Sequence, residues 1–359
     1  MNIPSEFQPA EKPKPVCKEG DFYFAAAHLD HPHIYGQCEG LIEAGGALRY
    51  VYDSDDAKIA AFLKKFPDVQ VVNRKEDLLE NTEIKLIAAA AIPNERGPFG
   101  IRVMEAGKDY FTDKTPFTTL AQLESARRVV NKTGKKYMVY YSERLHVESA
   151  IHAGFLIEAG AIGKVIQVLG LGPHRHGHNP RPDWFYQKEK YGGILCDIGS
   201  HQIEQYLFYG GVKEATVLSA RVDNVHHTRY PELEDFGEAN LQGDNGCSNY
   251  FRVDWFTPDG LGTWGDGRTI ILGTEGYIEL RKYIDVAREF SGNHLYLVNH
   301  QGEYHLDLND KIGYPFFGQL ILDCLDRTEN AMTQDHAFKA SELCLQVQVF
   351  ADQKRKGAL

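Results

Sequence analysis

The chain has 359 residues, 43% of them hydrophobic, and 50 acidic against 39 basic side chains give it a net charge of -11. Such a length exceeds what one hydrophobic core usually supports and points to about two domains, while the acidic balance argues against nucleic acid or an anionic membrane surface as partner. No apolar run approaches the ~20 residues of a membrane span, the opening "MNIPSEFQPAEKPKPVCKEG" lacks a secretory core, and six scattered cysteines lack CxxC spacing. A cytoplasmic protein with reduced thiols is expected.

Residues 1–20, with Pro4, Pro9, Pro13 and Pro15 among charges, read as an extended or flexible arm outside any core. Then strands and helices alternate. "DFYFAAAH" (21–28) is a buried strand, 34–46 a helix, "ALRYVYD" (47–53) a strand, and "DAKIAAFLKKF" a helix. "KLIAAAAIPN" (85–94) and "DYFTD" are strands around the helical "FGIRVMEAGK"; a helix capped by Thr119 and Gln122 leads to the strand "KYMVYYS". This alternation predicts an α/β fold with a doubly wound parallel sheet over residues 21–144.

Over 145–335 the rhythm changes. A helix, "VESAIHAGFLIEAGAIG", precedes the strand "KVIQVLGLGPH", and long polar or aromatic strands follow within 214–308, joined by Gly, Asp and Asn turns. They predict a second α/β domain with a large open, mainly antiparallel sheet. Residues 336–359 read as a closing helix.

Ligands of an open α/β sheet bind beyond the carboxyl ends of its strands. At the first such junction, "AHLDHPHIYG", His28, Asp30 and His33 stand where a dinucleotide fold carries its three glycines. The helix amides can still cradle a pyrophosphate, less closely, with Pro32 in the first turn. Asp53, roughly 25 residues later, suits the ribose hydroxyls and repels a 2'-phosphate, favouring NAD over NADP; a strand-end cap is the alternative. Pro93 and Asn94 end the next strand, and Lys114 in "TDKTP" can position a hydroxyl and stabilise an oxyanion.

"GGILCDIGSHQ" (192–202) places Asp197 and His201 four apart on one helical face. They could serve acid–base chemistry or form a structural hydrogen bond. "GPHRHGHNPRPDWF" offers His174, Arg175, His176, His178, Arg181, Asp183 and Trp184, which with Tyr186 suit a carbohydrate. Its alternating histidines could instead hold a transition metal, or the loop could be solvated; no metal ligand is assigned. Tyr141 and Arg144 are further pocket candidates, and Trp264 and Asp266 suggest a turn near the site or an interface.

Three segments, "EAGKDYFTDKTP", "YGGILCDIGSHQ" and "ERLHVESAIHAGFLIEAGAIGKV", resemble the Gfo/Idh/MocA family, named for glucose-fructose oxidoreductase and inositol dehydrogenase. The resemblance runs from residue 21 to 354. Thr115 stands between Lys114 and Pro116, and the glycine fingerprint is missing. The resemblance implies an N-terminal Rossmann domain binding a nicotinamide cofactor, a C-terminal sheet making homo-oligomer contacts, and a last helix returning to the first domain. It further implies oxidation of a secondary hydroxyl, or its reverse, on a small-molecule carbohydrate or glycoside. Lys114, Asp197 and His201 are then the catalytic group. His201 would be the general base, Asp197 would hold a hydroxyl or orient the imidazole, and Lys114 would stabilise the alkoxide-like oxygen.

Three functions follow: an NAD-dependent dehydrogenase, with C3 a candidate position; a redox-cycling glycosidase or lyase with no net NAD turnover; and a non-catalytic nucleotide sensor.

Overall fold

The computed structural model describes residues 3–18, 20–177 and 181–355. Six parallel strands, β1 (Tyr23–Ala27), β2 (Ala47–Tyr52), β3 (Gln70–Val71), β4 (Ile84–Ala89), β5 (Asp109–Asp113) and β6 (Tyr137–Tyr140), lie in the order β3-β2-β1-β4-β5-β6. Between them run α1 (His33–Glu43), α2 (Asp56–Lys65), α3 (Lys75–Glu80), α4 (Pro93–Glu105) and α5 (Leu120–Thr133). The central strands β1, β4 and β5 are short and almost wholly buried on both faces, β1 and β4 mainly by apolar residues, as a parallel sheet covered by helices requires. Strand order reverses between β1 and β4, which opens a crevice at their carboxyl ends.

Thr119 caps α5, its hydroxyl accepting the Gln122 amide at 3.2 Å. Helix α4 starts at Pro93, six residues before the predicted "FGIRVMEAGK". Pro98 has no N–H for the Asn94 carbonyl, and Gln122 Nε2 supplies that bond at 2.9 Å, so the helix runs through its proline. The short, exposed β3 and the one-sided α3 have too little periodicity to be read from sequence.

The second sheet has eight strands: β7 (Val165–Pro173), β8 (Ala215–Asp223), β9 (Phe236–Gly243), β10 (Ser248–Asp254), β11 (Arg268–Gly273), β12 (Gly276–Arg281), β13 (His294–Asn299) and β14 (Gly302–Asp307). Their order is β14-β13-β12-β11-β7-β10-β9-β8, antiparallel except where β7 meets β10. One face is covered by helices, and the other carries Ile166, Leu218, Leu272 and Tyr277 into solvent.

Before β7 come α6 (Ser142–Leu145) and α7 (Glu148–Glu158); after it come α8 (Lys188–Tyr191), α9 (Ile194–Asp197) and α10 (Gly199–Gly210). Helix α10 lies directly on β7 because Gly170 and Gly172 leave room for Gln202: a Cβ on Gly170 would stand 2.3 Å from its Oε1. That close approach sets the height of the whole α10 turn above the sheet.

Two last helices fold back. α11 (Pro315–Asp326) packs on α1, with Phe316 and Phe317 against Phe111, and α12 (Gln334–Arg355) touches β6 and α5 as well as β8, α9 and α10. Among the described residues no helix is long and apolar enough to cross a membrane.

Apart from a 3-10 turn at Ser5–Phe7 the described N-terminal arm is extended, as its prolines dictate, yet it is docked. Phe7 is 5% exposed, its carbonyl accepts from His152 Nε2 at 3.1 Å, and Val16 N donates to Ala44 O at 2.9 Å. Its few apolar side chains anchor it to the body of the same chain.

Candidate active site

The carboxyl ends of β1 and β5 face the helical segment 194–210 across the crevice. Lys114, next after β5, donates from Nζ to Asp197 Oδ1 at 2.8 Å and to the Asp197 carbonyl at 2.9 Å. The two residues lie 83 positions apart, one from each sheet unit. Burial raises the Asp197 carboxyl, but the Lys114 charge and hydrogen bond outweigh it, so the acid is held below its ordinary range. Lys114 is 5% exposed and His201 2%.

Asp197 and His201 do not share one unbroken helix. α9 ends at Asp197, Ile198 makes the junction, and α10 begins at Gly199. Asp197 turns to Lys114 and makes no hydrogen bond with His201, so it does not orient the imidazole. Gly193, at φ 93°, starts this segment where α12 comes close: a Cβ would meet Gln348 at 2.3 Å. Gln348 Oε1 in turn accepts the Leu195 amide at 3.1 Å, fixing α9.

Burial, with Lys114, His33 and His174 adding to it and Glu143 opposing, pushes the His201 imidazole down to about 3. It is therefore neutral near neutral pH. Its Nδ1 is buried without a partner. Below it Glu143, on α6, receives Lys282 Nζ at 2.7 Å and Gln202 Nε2 at 3.0 Å, while its Oε1 is unpartnered. Lys282, His201 and His174 together hold this buried carboxyl well below its usual range against the cost of burial. His174, at the end of β7, lies between Trp255 (5.5 Å) and Trp264 (4.5 Å), and burial lowers it to about 4.

The first junction reaches the same place. His33 opens α1 with its ring centroid 6.4 Å from that of His201. Its Nδ1 lies 2.7 Å from Asp113 Oδ1, and His31 Nδ1 lies 3.0 Å from Asp113 Oδ2. Asp113 is wholly buried at the end of β5, and Arg96 Nη2 donates to its Oδ2 at 3.1 Å. Burial raises this carboxyl, but His33, Arg96 and His31 outweigh it and keep it well below the ordinary value. The same Arg96 donates to the carbonyls of Ala91, Lys114 and Thr115, so it holds the turn that presents Lys114.

The remaining cofactor candidates line the crevice. His28 has the left-handed φ of 54° that a glycine would take, and its ring packs edge-on to Phe99 at 4.5 Å. Asp30 pairs with Lys58 at 2.5 Å. Asp53 Oδ2 accepts the Leu29 amide at 2.6 Å and Oδ1 that of Asp55 at 2.8 Å, so it caps the strand end and ties down the first loop. Pro93 is the first residue of α4, and Asn94 Oδ1 is a buried acceptor with no partner, pointing to a missing donor at this edge. The crevice, the α1 and α4 N-termini and this orphaned acceptor fit a dinucleotide, although three side chains replace the glycines.

Three substrate candidates are corrected. The Tyr141 hydroxyl bonds to Ala337 O and Ser341 Oγ on α12, away from the crevice. Arg144 grips the buried Glu204, with Nε 2.7 Å from Oε1, and stacks on Phe208. Arg175 spends its guanidinium on the carbonyls of Pro258, Leu261 and Thr263, pinning the turn that carries Trp264.

His176 lies farther out, against His227 at 4.4 Å, Asp183 is exposed, and Trp184 packs on Phe185. His178 is outside the described residues. Arg181 clasps the carbonyls of Arg175 and His176 over the Phe185 and Trp255 rings.

Sequence reasoning missed Arg96, Asp113, His31, Glu143 and Lys282. Asp113 and Glu143 each follow or end a parallel strand, the same signal that singled out Lys114. Arg96 and Lys282 had none. No metal ligand was expected among the site residues; His31, His33 and Asp113 nevertheless bring three ligand atoms within 4.8 Å of one another.

Known proteins fit this picture. Residues 23–141 match the family description "Oxidoreductase family, NAD-binding Rossmann fold", and residues 152–279 match "GFO/IDH/MocA C-terminal domain". A solved structure from Erwinia carotovora atroseptica SCRI1043 is 51% identical, covers 92% of this chain and 99% of its own, and superposes with a TM-score of 0.90. The scyllo-inositol 2-dehydrogenase (NADP(+)) IolW of Bacillus subtilis is 24% identical over 49% of each chain. The D-xylose dehydrogenase of Paenarthrobacter nicotinovorans is 22% identical over 57% of this chain and 53% of that one. The chain thus spans about half the length of these curated relatives. With both of its domains matched in order over most of its length, the chain belongs to the GFO/IDH/MocA family of oxidoreductases.

Proposed function

We propose that this chain is an NAD-dependent oxidoreductase that moves hydride between nicotinamide and a secondary hydroxyl of a sugar or glycoside, with C3 a candidate position. One observation carries the reading: Lys114 of the first unit is bonded to Asp197 of the second, beside a neutral, buried His201. The bound nicotinamide supplies the hydride acceptor. His201 takes the hydroxyl proton on Nε2. Lys114 Nζ, steered by Asp197, stabilises the oxygen as its negative charge grows. Asp197 Oδ2 and the His174 imidazole remain for neighbouring hydroxyls, and Trp264 offers a ring face to the sugar.

Asp53 is the reason to favour NAD over NADP, since its carboxylate opposes a 2'-phosphate. The apolar side chains on the uncovered sheet face suit a homo-oligomer contact, and six unpaired cysteines suit a reducing, cytoplasmic setting. Incubating the enzyme with NAD⁺ or NADP⁺ and a panel of monosaccharides, cyclitols and glycosides tests the proposal, if reduced nicotinamide and sugar products are followed together. A keto-sugar formed with stoichiometric NADH is the expected result. Glycoside cleavage without accumulating NADH reassigns the site to redox cycling, and binding without turnover makes it a sensor.

A further inference from the structure

None of His31, His33 and Asp113 carries a proton or the substrate oxygen in the reaction proposed above, and their local chemistry is unusual. Each Asp113 oxygen already has one donor from the protein interior: the Lys114 amide on Oδ1 at 2.7 Å and Arg96 on Oδ2 at 3.1 Å. The two imidazoles approach from the crevice side, about a quarter exposed, at 26% and 29%. Pro32 separates them and stiffens their spacing.

His31 Nδ1 has conflicting neighbours. It lies 3.3 Å from the His33 amide, which asks it to accept a hydrogen bond, and 3.0 Å from Asp113 Oδ2, which asks it to donate one. One nitrogen of a neutral ring cannot do both. In the accepting tautomer its lone pair faces a carboxylate oxygen, an arrangement that a cation between them would relieve.

We propose that His31 Nδ1, His33 Nδ1 and the Asp113 carboxylate form a site for one divalent transition-metal ion, Zn²⁺ by its donor set. Two imidazoles and one carboxylate are three protein ligands, and a fourth position stays open toward the crevice. Ligand atoms on a tetrahedral ion stand about 3.3 Å apart, given metal–ligand bonds of about 2.0–2.1 Å. His33 Nδ1 and His31 Nδ1 stand 2.7 Å and 3.0 Å from different Asp113 oxygens, and one ligand atom from each of the three residues lies within 4.8 Å of the others, so small rotations of the two partly exposed rings bring the donors to that spacing.

Neutral imidazoles bind by moving their proton to Nε2, so no net proton release is required. Arg96 and the Lys114 amide are the outer donors that orient the ligating carboxylate. With only one carboxylate, half neutralised by Arg96, the site disfavours Mg²⁺ and Ca²⁺, which need several oxygen ligands.

The test is metal binding alone. Chelator-stripped full-length protein is titrated with Zn²⁺ against a chromophoric chelator, and with Co²⁺ while visible absorption is recorded. One equivalent per chain is expected, with Co²⁺ bands of four-coordinate nitrogen and oxygen ligation and no thiolate charge-transfer band. His31→Ala and His33→Ala, each confirmed folded by its thermal melt, should bind at least ~100-fold more weakly. His227→Ala, outside the group, should bind as the wild type does. No stoichiometric uptake by the wild type, a thiolate band, or equal affinity in the folded His31 and His33 variants would overturn the proposal and leave Asp113 as a hydrogen-bonded hub.

Discussion

Arg96 and Asp113 form an ion pair at 3.1 Å in which the two side chains are 1% and 0% exposed, and the same guanidinium holds the carbonyl of Lys114. Two consequences follow. Arg96→Ala leaves a buried carboxylate facing no guanidinium and three carbonyls short of a donor. Loss of one partner of such a pair costs about 3–5 kcal/mol, which a urea-unfolding midpoint would register. Arg96→Lys keeps the charge but not the planar fork, so it should be milder in stability yet still lower kcat, because the Lys114 turn loses its anchor. A Lys variant with wild-type kcat would dissociate Arg96 from the presentation of Lys114.

Replacing the proposed proton acceptor should separate chemistry from binding. His201→Ala is expected to lower kcat by ~100-fold or more with cofactor affinity nearly unchanged, the first read by steady-state kinetics and the second by fluorescence titration of the nicotinamide. Lys114→Ala should instead impair both. It removes the proposed oxyanion partner and leaves the partly buried Asp197 without its cation.

The buried histidines make stability fall in acid. His146, His152 and His174 are lowered from 6.5 to about 4, and His201 to about 3, each chiefly by burial. The fold disfavours their cations, so between pH 6.5 and 4 the unfolded chain binds protons that the folded chain refuses. Their contribution is whole above 6.5 and lost as pH falls through 4, at up to about 1.4 kcal/mol per pH unit for each. Denaturant midpoints measured from pH 8 to 4 should be flat at first and then drop steeply. For the same reason, kcat/KM should show no ionisation of His201 near 6.5.

The docked arm is open to a direct check. Phe7 is buried against the body of the chain, and Phe7→Ala should cost about 3 kcal/mol, within the usual range for a buried aromatic truncated in place. Limited proteolysis should then cut the arm ahead of the rest. If the variant melts with the wild type, the arm contributes no packing.

What the sequence disclosed, and what it withheld, divides along chain distance. Strand and helix alternation depends on neighbours, so β1, β2, β4, β5 and β6 were readable, whereas β9, with Gly237, Glu238 and Asn240, lacked the apolar pattern of its partners. Lys114, Asp197 and His201 stood out in the sequence because strand ends and a local glycine-rich motif mark them. Arg144 looked like a pocket cation because its partner, Glu204, stands 60 residues later. Tyr141 was misplaced likewise, since its acceptors lie on α12, 196 and 200 residues away. Arg96 serves mainly backbone carbonyls, which carry no side-chain signature at all.

The path of the chain has a mechanical outcome. It leaves the first sheet unit after β6 and comes back after β14, when α11 and α12 settle against α1, α5 and β6. The chain therefore passes between the two units twice. The Lys114–Asp197 hydrogen bond crosses the same seam, so the proposed centre is assembled only while the two units stay together.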